Sequence, residues 1–134
     1  MAGTPRVTVF LPDTSVLIDT LKRNQQRTKL LRELVSQGHS FASCAVTVGE
    51  IFSGMHPSEA ALTAEFLSTL IWVDTTAPVA RKAGELRYAW ARKGITLTLT
   101  DTLIAATALH YGLTVITDNK KDFPMAELSL HPLS

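Results

Sequence analysis

The sequence has a single cysteine, Cys44, among its 134 residues. One cysteine excludes an intramolecular disulfide framework and any metal site built from several thiolates, and it fits a reducing compartment. No apolar run approaches the roughly 20 residues that a transmembrane helix needs, and residues 1–6 carry no secretory signal. These absences predict a soluble, cytoplasmic protein that does not enter a membrane.

An excess of charge of one sign is also missing. Thirteen Lys and Arg residues face 12 Asp and Glu residues, so the net charge is +1. This balance excludes a basic, tail-like nucleic-acid binder and an acidic solvating chain. There is no Gly-x-Gly-x-x-Gly motif and no P-loop, and the four histidines lack metal-ligand spacing. With 46% hydrophobic residues, the chain is expected to fold as one domain over residues 1–134.

Short apolar, β-branched runs alternate with helical patterns along the chain. Strands are predicted over residues 7–11, 39–43, 70–73, 113–117 and 128–131, with helices between them. Pro12 is expected to end the first strand and Pro57 to lie in the first turn of a helix. Such alternation favours an α/β fold with a parallel sheet covered on both faces. Ligands of these folds bind beyond the carboxyl ends of the strands.

Acidic residues stand at those strand ends and beside them. Asp13 follows the first strand, Asp118 follows the fourth, Asp101 begins an Ala-rich helix, and Glu50 lies in a short helix. Each has a structural explanation when taken alone: helix capping for Asp13 and Asp101, a turn for Asp118, and an exposed helix face for Glu50. The remaining aspartates are interpreted as solvated or turn residues: Asp19, Asp74 and Asp122.

Taken together, four carboxylates facing one cleft point to a metal site. Like charges at close range either take up protons or bind a cation. Oxygen ligands without a Cys or His cluster select Mg²⁺ or Mn²⁺ rather than Zn²⁺. Such an ion can activate water for phosphodiester hydrolysis and neutralise charge on the phosphate. This chemistry requires neither cysteine nor histidine, which agrees with the composition.

Four short motifs follow one another along the chain. They are Asp13-Thr14-Ser15-Val16-Leu17-Ile18, then Thr47-x-x-Glu50 with Gly54, then Asp101-x-x-Ile104-Ala105-Ala106-x-Ala108 with Gly112, and finally Val115-Ile116-Thr117-Asp118-Asn119-x-x-Asp122-Phe123. In this order and spacing they resemble the motifs of PIN-domain ribonucleases, and most closely those of the VapC toxins of type II toxin–antitoxin pairs. The resemblance runs over residues 7–123.

The resemblance implies a three-layer α/β/α PIN-like fold with a central parallel sheet. It also implies Mg²⁺- or Mn²⁺-dependent cleavage of RNA by a homodimer that an antitoxin protein holds inactive. The acidic set of the family corresponds to Asp13, Glu50 and Asp101 of this sequence. Its fourth position falls on Asn119, with Asp118 one residue earlier, so either side chain is a candidate.

These residues receive specific expected roles. Asp13 and Asp101 would ligate the main metal ion, and Glu50 would ligate a second ion or act as the general base. Asp118 or Asn119 would complete the ligand set. A further group could position the scissile phosphate or a water molecule: Thr14, Ser15 and Thr117.

Basic and aromatic residues give weaker indications. Two basic groups could contact phosphates, although a solvated helix face explains the first equally well: Lys22, Arg23, Arg27, Lys29 and Arg32, and then Lys120 and Lys121. Trp72 and Trp90 are expected to pack in the core rather than to stack on bases.

Other functions remain open beside the toxin interpretation. The chain could be a non-catalytic PIN-like binding module with a structural cation, or a PIN nuclease of RNA processing that has no antitoxin. A phospho-receiver domain is disfavoured because Pro12 stands where a paired acid is required. An Asp-x-Asp phosphatase is disfavoured because Ser15 replaces the second aspartate.

Overall fold

The computed structural model describes residues 7–133. Residues 1–6, in which no secretory signal is predicted, lie outside the described part of the chain, as does residue 134. The strands are β1 (Val9–Pro12), β2 (Ser40–Cys44), β3 (Ile71–Val73), β4 (Thr114–Thr117) and β5 (Leu130–Pro132). The helices are α1 (Thr14–Leu21), α2 (Gln25–Ser36), α3 (Ala45–Ser53), α4 (Ala60–Ser68), α5 (Ala77–Arg92) and α6 (Leu99–Tyr111). Two short 3₁₀ turns cover Pro57–Glu59 and Lys120–Asp122.

The five strands form one sheet in the order β3-β2-β1-β4-β5, and every neighbouring pair is parallel. Successive residues of the central strand point to opposite faces, as the pleat requires. Phe10 packs in a cluster with Leu34 of α2, whereas Leu11 packs in the larger cluster that contains Ile104 of α6. Helices therefore cover both faces, and the predicted three-layer α/β/α fold is confirmed.

Two prolines lie at the boundaries of elements. Pro12 ends β1 as expected, since it is the last residue of the strand and is aligned with Ile116 of β4. A strand end tolerates proline because the ladder continues from the next residue, here through the backbone N–H of Asp13. Pro57 begins a 3₁₀ turn, and α4 starts three residues later at Ala60.

Trp72 corrects a further expectation. Its side chain is 54% exposed, although it was predicted to pack in the core. The reason is that β3 is a three-residue edge strand, and the Trp72 indole N–H donates to Asp74 rather than entering the interior. Trp90 of α5 does pack, half-buried, against the larger core cluster.

The Ala-rich helix α6 is buried along most of its length, and its ends are sharply defined. Thr98 caps its first turn, and Gly112 ends it with a φ of 69°. That left-handed conformation suits glycine and turns the chain directly into β4. Among the described residues, no helix is both long and apolar enough to span a bilayer.

Candidate active site

Asp13 directly follows the central strand β1, at the carboxyl edge of the sheet. Its backbone N–H donates to the Ile116 carbonyl of β4 at 2.8 Å. Its side chain is buried and caps α1, because Oδ1 accepts from the Thr14 backbone N–H at 2.8 Å. The other oxygen, Oδ2, accepts from the Thr117 hydroxyl at 3.0 Å. This carboxylate thus caps a helix and also lies where the chemistry is expected.

Burial controls the protonation of Asp13. Loss of solvent around the carboxyl, together with the charges of Asp101 and Asp118, raises its pKa from the ordinary 3.8 to about 6. The hydrogen bonds from Thr117 and Thr14 act in the opposite direction and lower the pKa. A carboxyl in these surroundings is stabilised by a proton or by a nearby cation.

Asp101 reaches the same edge of the sheet from the first turn of α6. Its backbone N–H donates to the hydroxyl of Thr98, the residue that caps this helix, at 3.0 Å. Burial raises the pKa of the Asp101 carboxyl above its ordinary value, and the Thr98 side chain partly offsets that effect. The charges of Asp122 and Glu50 raise the pKa as well. Elements distant in sequence therefore bring the predicted acids into mutual electrostatic range.

Glu50 lies on α3 and is held by Thr14. The Thr14 hydroxyl donates to Oε1 of Glu50 at 2.5 Å, and Thr14 itself is buried. Because the backbone N–H of Thr14 binds Asp13, this one residue orients two of the predicted acids. Thr14 was predicted to position phosphate or water, and its contacts here are to carboxylates.

Asp118 occupies the exposed rim of the site. The Ser15 hydroxyl donates to its Oδ1 at 3.2 Å, and Nη2 of Arg27 lies 3.3 Å from its Oδ2. The Arg27 side chain is only 17% exposed, and its Nε is 3.5 Å from Oδ2 of Asp19. A guanidinium between two carboxylates compensates their charge. Of the basic residues in the first predicted group, Arg27 is the one with these contacts to the acidic region.

Asn119 and Asp122 form a second pair at the same strand end. The Asn119 backbone N–H donates to the Thr117 hydroxyl at 3.0 Å, and its side-chain amide donates to Oδ2 of Asp122. Asp122 was interpreted from the sequence as a solvated or turn residue, yet its charge acts on Asp101. The signal that could have identified it is its spacing, three residues after Asn119 and next to the buried Phe123.

The donor chemistry of this region fits a hard divalent cation. Asp13, Asp101 and Glu50 offer carboxylate oxygens alone, which Mg²⁺ and Mn²⁺ prefer. Neighbouring negative charges raise the pKa values of both Asp13 and Asp101, so a cation would relieve real repulsion. Within residues 7–133, no three acidic, histidine or cysteine side chains are grouped as a ready-made metal site.

Known proteins match almost the whole chain. Residues 10–127 match the model of a family described as the PIN domain. The chain is 34% identical over 117 residues to ribonuclease VapC19 of Mycobacterium tuberculosis, covering 86% of this chain and 92% of that protein. It is 30% identical over 119 residues to the tRNA(fMet)-specific endonuclease VapC of Shigella flexneri, covering 85% and 89%. A chain of DNA-bound VapBC from Salmonella typhimurium superposes with a TM-score of 0.79 at 25% identity, over 94% of this chain and 98% of that one.

Proposed function

The chain belongs to the PIN-domain family and, within it, to the VapC ribonucleases, and on that premise we propose that it is a metal-dependent endoribonuclease, the toxin of a type II toxin–antitoxin pair. One observation carries the proposal. Buried Asp13, which follows β1, and half-buried Asp101 of α6 lie at the carboxyl edge of a parallel sheet, where the charge of Asp101 raises the pKa of Asp13. Repelling carboxylates at this edge are suited to a divalent ion and a phosphodiester.

Three carboxylates would hold the ion, which we propose to be Mg²⁺ or Mn²⁺. Asp13 and Asp101 are its direct ligands, and Glu50 either joins them or accepts a proton from the attacking water. When bound, the ion supplies Lewis-acid stabilisation of the phosphate charge and an activated water. Thr14 keeps Glu50 oriented, and the Thr117 hydroxyl keeps Asp13 oriented.

The rim of the site is suited to guiding an RNA backbone. Asp118 adds negative charge beside Asp13, and Ser15 and Arg27 hold it in place. Lys120 and Lys121 are exposed directly after Asn119. Exposed cations beside an acidic cleft attract phosphates electrostatically while leaving the base sequence unread. Action on RNA requires a compartment that contains RNA, and we therefore propose a cytoplasmic location.

We propose an antitoxin as the protein partner, since the Salmonella relative is a VapBC complex. A groove of about 680 Å³ between α2, α4 and the β2–β3 side of the sheet would accept an apolar antitoxin segment. Its apolar walls include Leu31, Val35, Phe41, Phe66 and Leu70.

We also propose a homodimer, for which exposed apolar residues such as Phe52, Tyr88 and Leu99 offer surface. Light scattering on the purified protein measures the number of copies.

An RNA-cleavage assay tests the proposed activity. The wild type should cut RNA with Mg²⁺ or Mn²⁺ and should stop when EDTA is added. Asp13→Asn and Asp101→Asn should both fall to the level of the EDTA sample, while the exposed Glu127→Gln serves as the matched control. Metal-supported cleavage that persists in both aspartate variants would contradict the assignment of Asp13 and Asp101 to the active site. Metal binding without cleavage by the wild type would support a non-catalytic module instead.

A further inference from the structure

Helix α1 ends in a left-handed residue that is not glycine. Arg23 has a φ of 61°. Its backbone N–H donates to the Thr20 carbonyl at 3.0 Å, and the N–H of Asn24 donates to the Asp19 carbonyl at 2.9 Å. This pair of bonds is the Schellman arrangement that closes a helix, and glycine is the usual residue at its left-handed position because a Cβ atom is unfavourable there. Arginine at this position therefore costs stability relative to glycine.

The other helices that end in a left-handed residue use glycine. Helices α2, α5 and α6 each reach a glycine of positive φ within two residues of their ends, namely Gly38, Gly94 and Gly112. The Arg23 side chain is exposed, and within residues 7–133 it forms no salt bridge or side-chain hydrogen bond. Contacts of the described part of the chain thus do not account for an arginine where glycine would fit better.

Arg23 lines an open groove of about 840 Å³ together with side chains of α2. Lys29 and Arg32 are the other cations of the lining, and Glu33 is its acid, so the lining carries a net charge of +2. Lys29 and Arg32 are exposed, and neither forms a salt bridge with an acid in residues 7–133. The remaining lining residues are neutral and offer hydroxyl or amide groups, such as that of Thr28. The groove therefore presents uncompensated cations to an anionic partner.

The position of α2 relates this groove to the candidate active site. The inner side of the helix carries buried Leu34 and also Arg27, which contacts Asp118 at the rim of the site. Lys29 and Arg32, three residues apart, lie together on the outer side. The groove is separated from the rim by the thickness of one helix, about 10 Å. An RNA bound at the acidic residues would thus reach the groove with phosphates other than the one that is cleaved.

We propose that the basic groove of Arg23, Lys29 and Arg32 is an exosite that binds RNA phosphates away from the cleaved bond. The inference rests on the proposed function for its substrate. Phosphate contacts of arginine and lysine supply affinity and orientation without reading the bases. A guanidinium binds phosphate oxygens in a bidentate manner, which glycine does not provide, and this accounts for Arg23 at the end of α1. The groove favours RNAs that are long or folded enough to extend from the acidic site to the outer side of α2.

Binding of RNA in EDTA tests the exosite without relying on catalysis. Filter binding of bulk tRNA at several salt concentrations measures both the affinity and its salt dependence. The double variant Lys29→Gln, Arg32→Gln should make the slope of log affinity against log salt shallower by about 1.5 and lower the affinity by about 30-fold at about 0.1 M salt. The control Arg81→Gln, Lys82→Gln also removes one arginine and one lysine, both exposed on α5, and should bind as the wild type does.

Arg23→Gly separates the proposed role of this arginine from a structural one. The slope should become shallower by about 0.8, and the affinity should fall about sixfold at about 0.1 M salt. The melting temperature should equal that of the wild type or exceed it by up to about 4 °C, because glycine is favoured at this helix end. An arginine that served the helix by interacting with its dipole would instead give a variant that melts below the wild type. That result, or a slope equal to that of the wild type, overturns the assignment of Arg23.

The double variants decide the exosite as a whole. If Lys29→Gln, Arg32→Gln binds tRNA with the slope and affinity of the wild type, the exosite is refuted, and this is the result expected if the groove takes an acidic segment of the antitoxin. An equal loss in the α5 control refutes it as well, since net charge alone would then explain the effect. Should the wild type bind tRNA but cut no RNA with Mg²⁺, the proposed function fails while these binding comparisons still decide the role of the groove.

Discussion

Replacing Asp13 by Asn should inactivate the protein and yet make its metal-free form more stable at neutral pH. Folding buries this carboxyl beside Asp101 and Asp118, and its pKa rises from 3.8 to about 6. Between these two values the folded state binds more protons than the unfolded state does. The stability that comes from Asp13 is therefore fully present below pH 3.8 and is lost as the pH rises through about 6.

The size of the effect follows from that shift. At about pH 8, the two states differ by roughly 3 kcal/mol in the cost of ionising this carboxyl, at about 1.36 kcal/mol per pKa unit. Asn carries no charge and escapes that cost. It offers one acceptor oxygen where Asp13 uses two, for Thr14 and Thr117, and the lost hydrogen bond costs about 1 kcal/mol. The expected net gain for Asp13→Asn is about 2 kcal/mol at about pH 8.

Urea unfolding in EDTA at several pH values measures this difference. At about pH 4 the ionisation cost shrinks to roughly 0.5 kcal/mol, so the variant should lose its advantage and become equal to or slightly less stable than the wild type. RNA cleavage of the same samples with Mg²⁺ should be absent in the variant. A variant less stable than the wild type at about pH 8, or one whose advantage does not change with pH, would refute the argument that buried charge destabilises this site.

Three other results are expected. Thr117→Val removes the donor to Asp13 and should raise the pKa of that carboxyl above its present value of about 6 and weaken Mn²⁺ binding, whereas Thr117→Ser should retain the binding measured by calorimetry. Lys121→Gln removes an exposed cation beside the acidic rim, and in filter binding it should make the slope of log affinity for RNA against log salt shallower by about 1, with the exposed Arg81→Gln as the control. Mg²⁺ at about 100 times its Kd should stabilise the wild type by about 2.7 kcal/mol relative to EDTA in thermal unfolding, and equal stability in the two buffers would argue against a metal site.

Local sequence signals predicted most of the fold. Hydrophobic periodicity and glycine stops placed the helices, and Gly112 ends α6 as expected. The wrong predictions lie where tertiary contacts determine the exposure or the local conformation of a residue. Trp72 is exposed because β3 is an edge strand, and sequence periodicity does not reveal the position of a strand within a sheet. Pro57 forms a 3₁₀ turn because its local preference for a first turn is shared by both helix types.

The candidate site was predicted only in part, because sequence signals report local structure and do not report tertiary contacts. Asp13 and Asp101 could be proposed from their places at element ends, which the parallel sheet brings to one edge. The partners of the fourth position could not be predicted in this way. Asp118 meets Arg27, which is 91 residues earlier in the chain, and no local pattern indicates that pairing. Asp122 was interpreted as a turn aspartate because its hydrogen bond from Asn119 and the effect of its charge on Asp101 arise only in the folded chain.

The central pairing of β1 with β4 also determines when, during synthesis, the Asp13 carboxylate takes up its position in the candidate site. Thr117, which fixes the Asp13 carboxylate, lies 104 residues further along the chain. A polypeptide still emerging from the ribosome therefore has Asp13 and Glu50 but lacks the strand that positions the first of them. For a ribonuclease, such an order of assembly delays activity until β4 has been synthesised and has paired with β1.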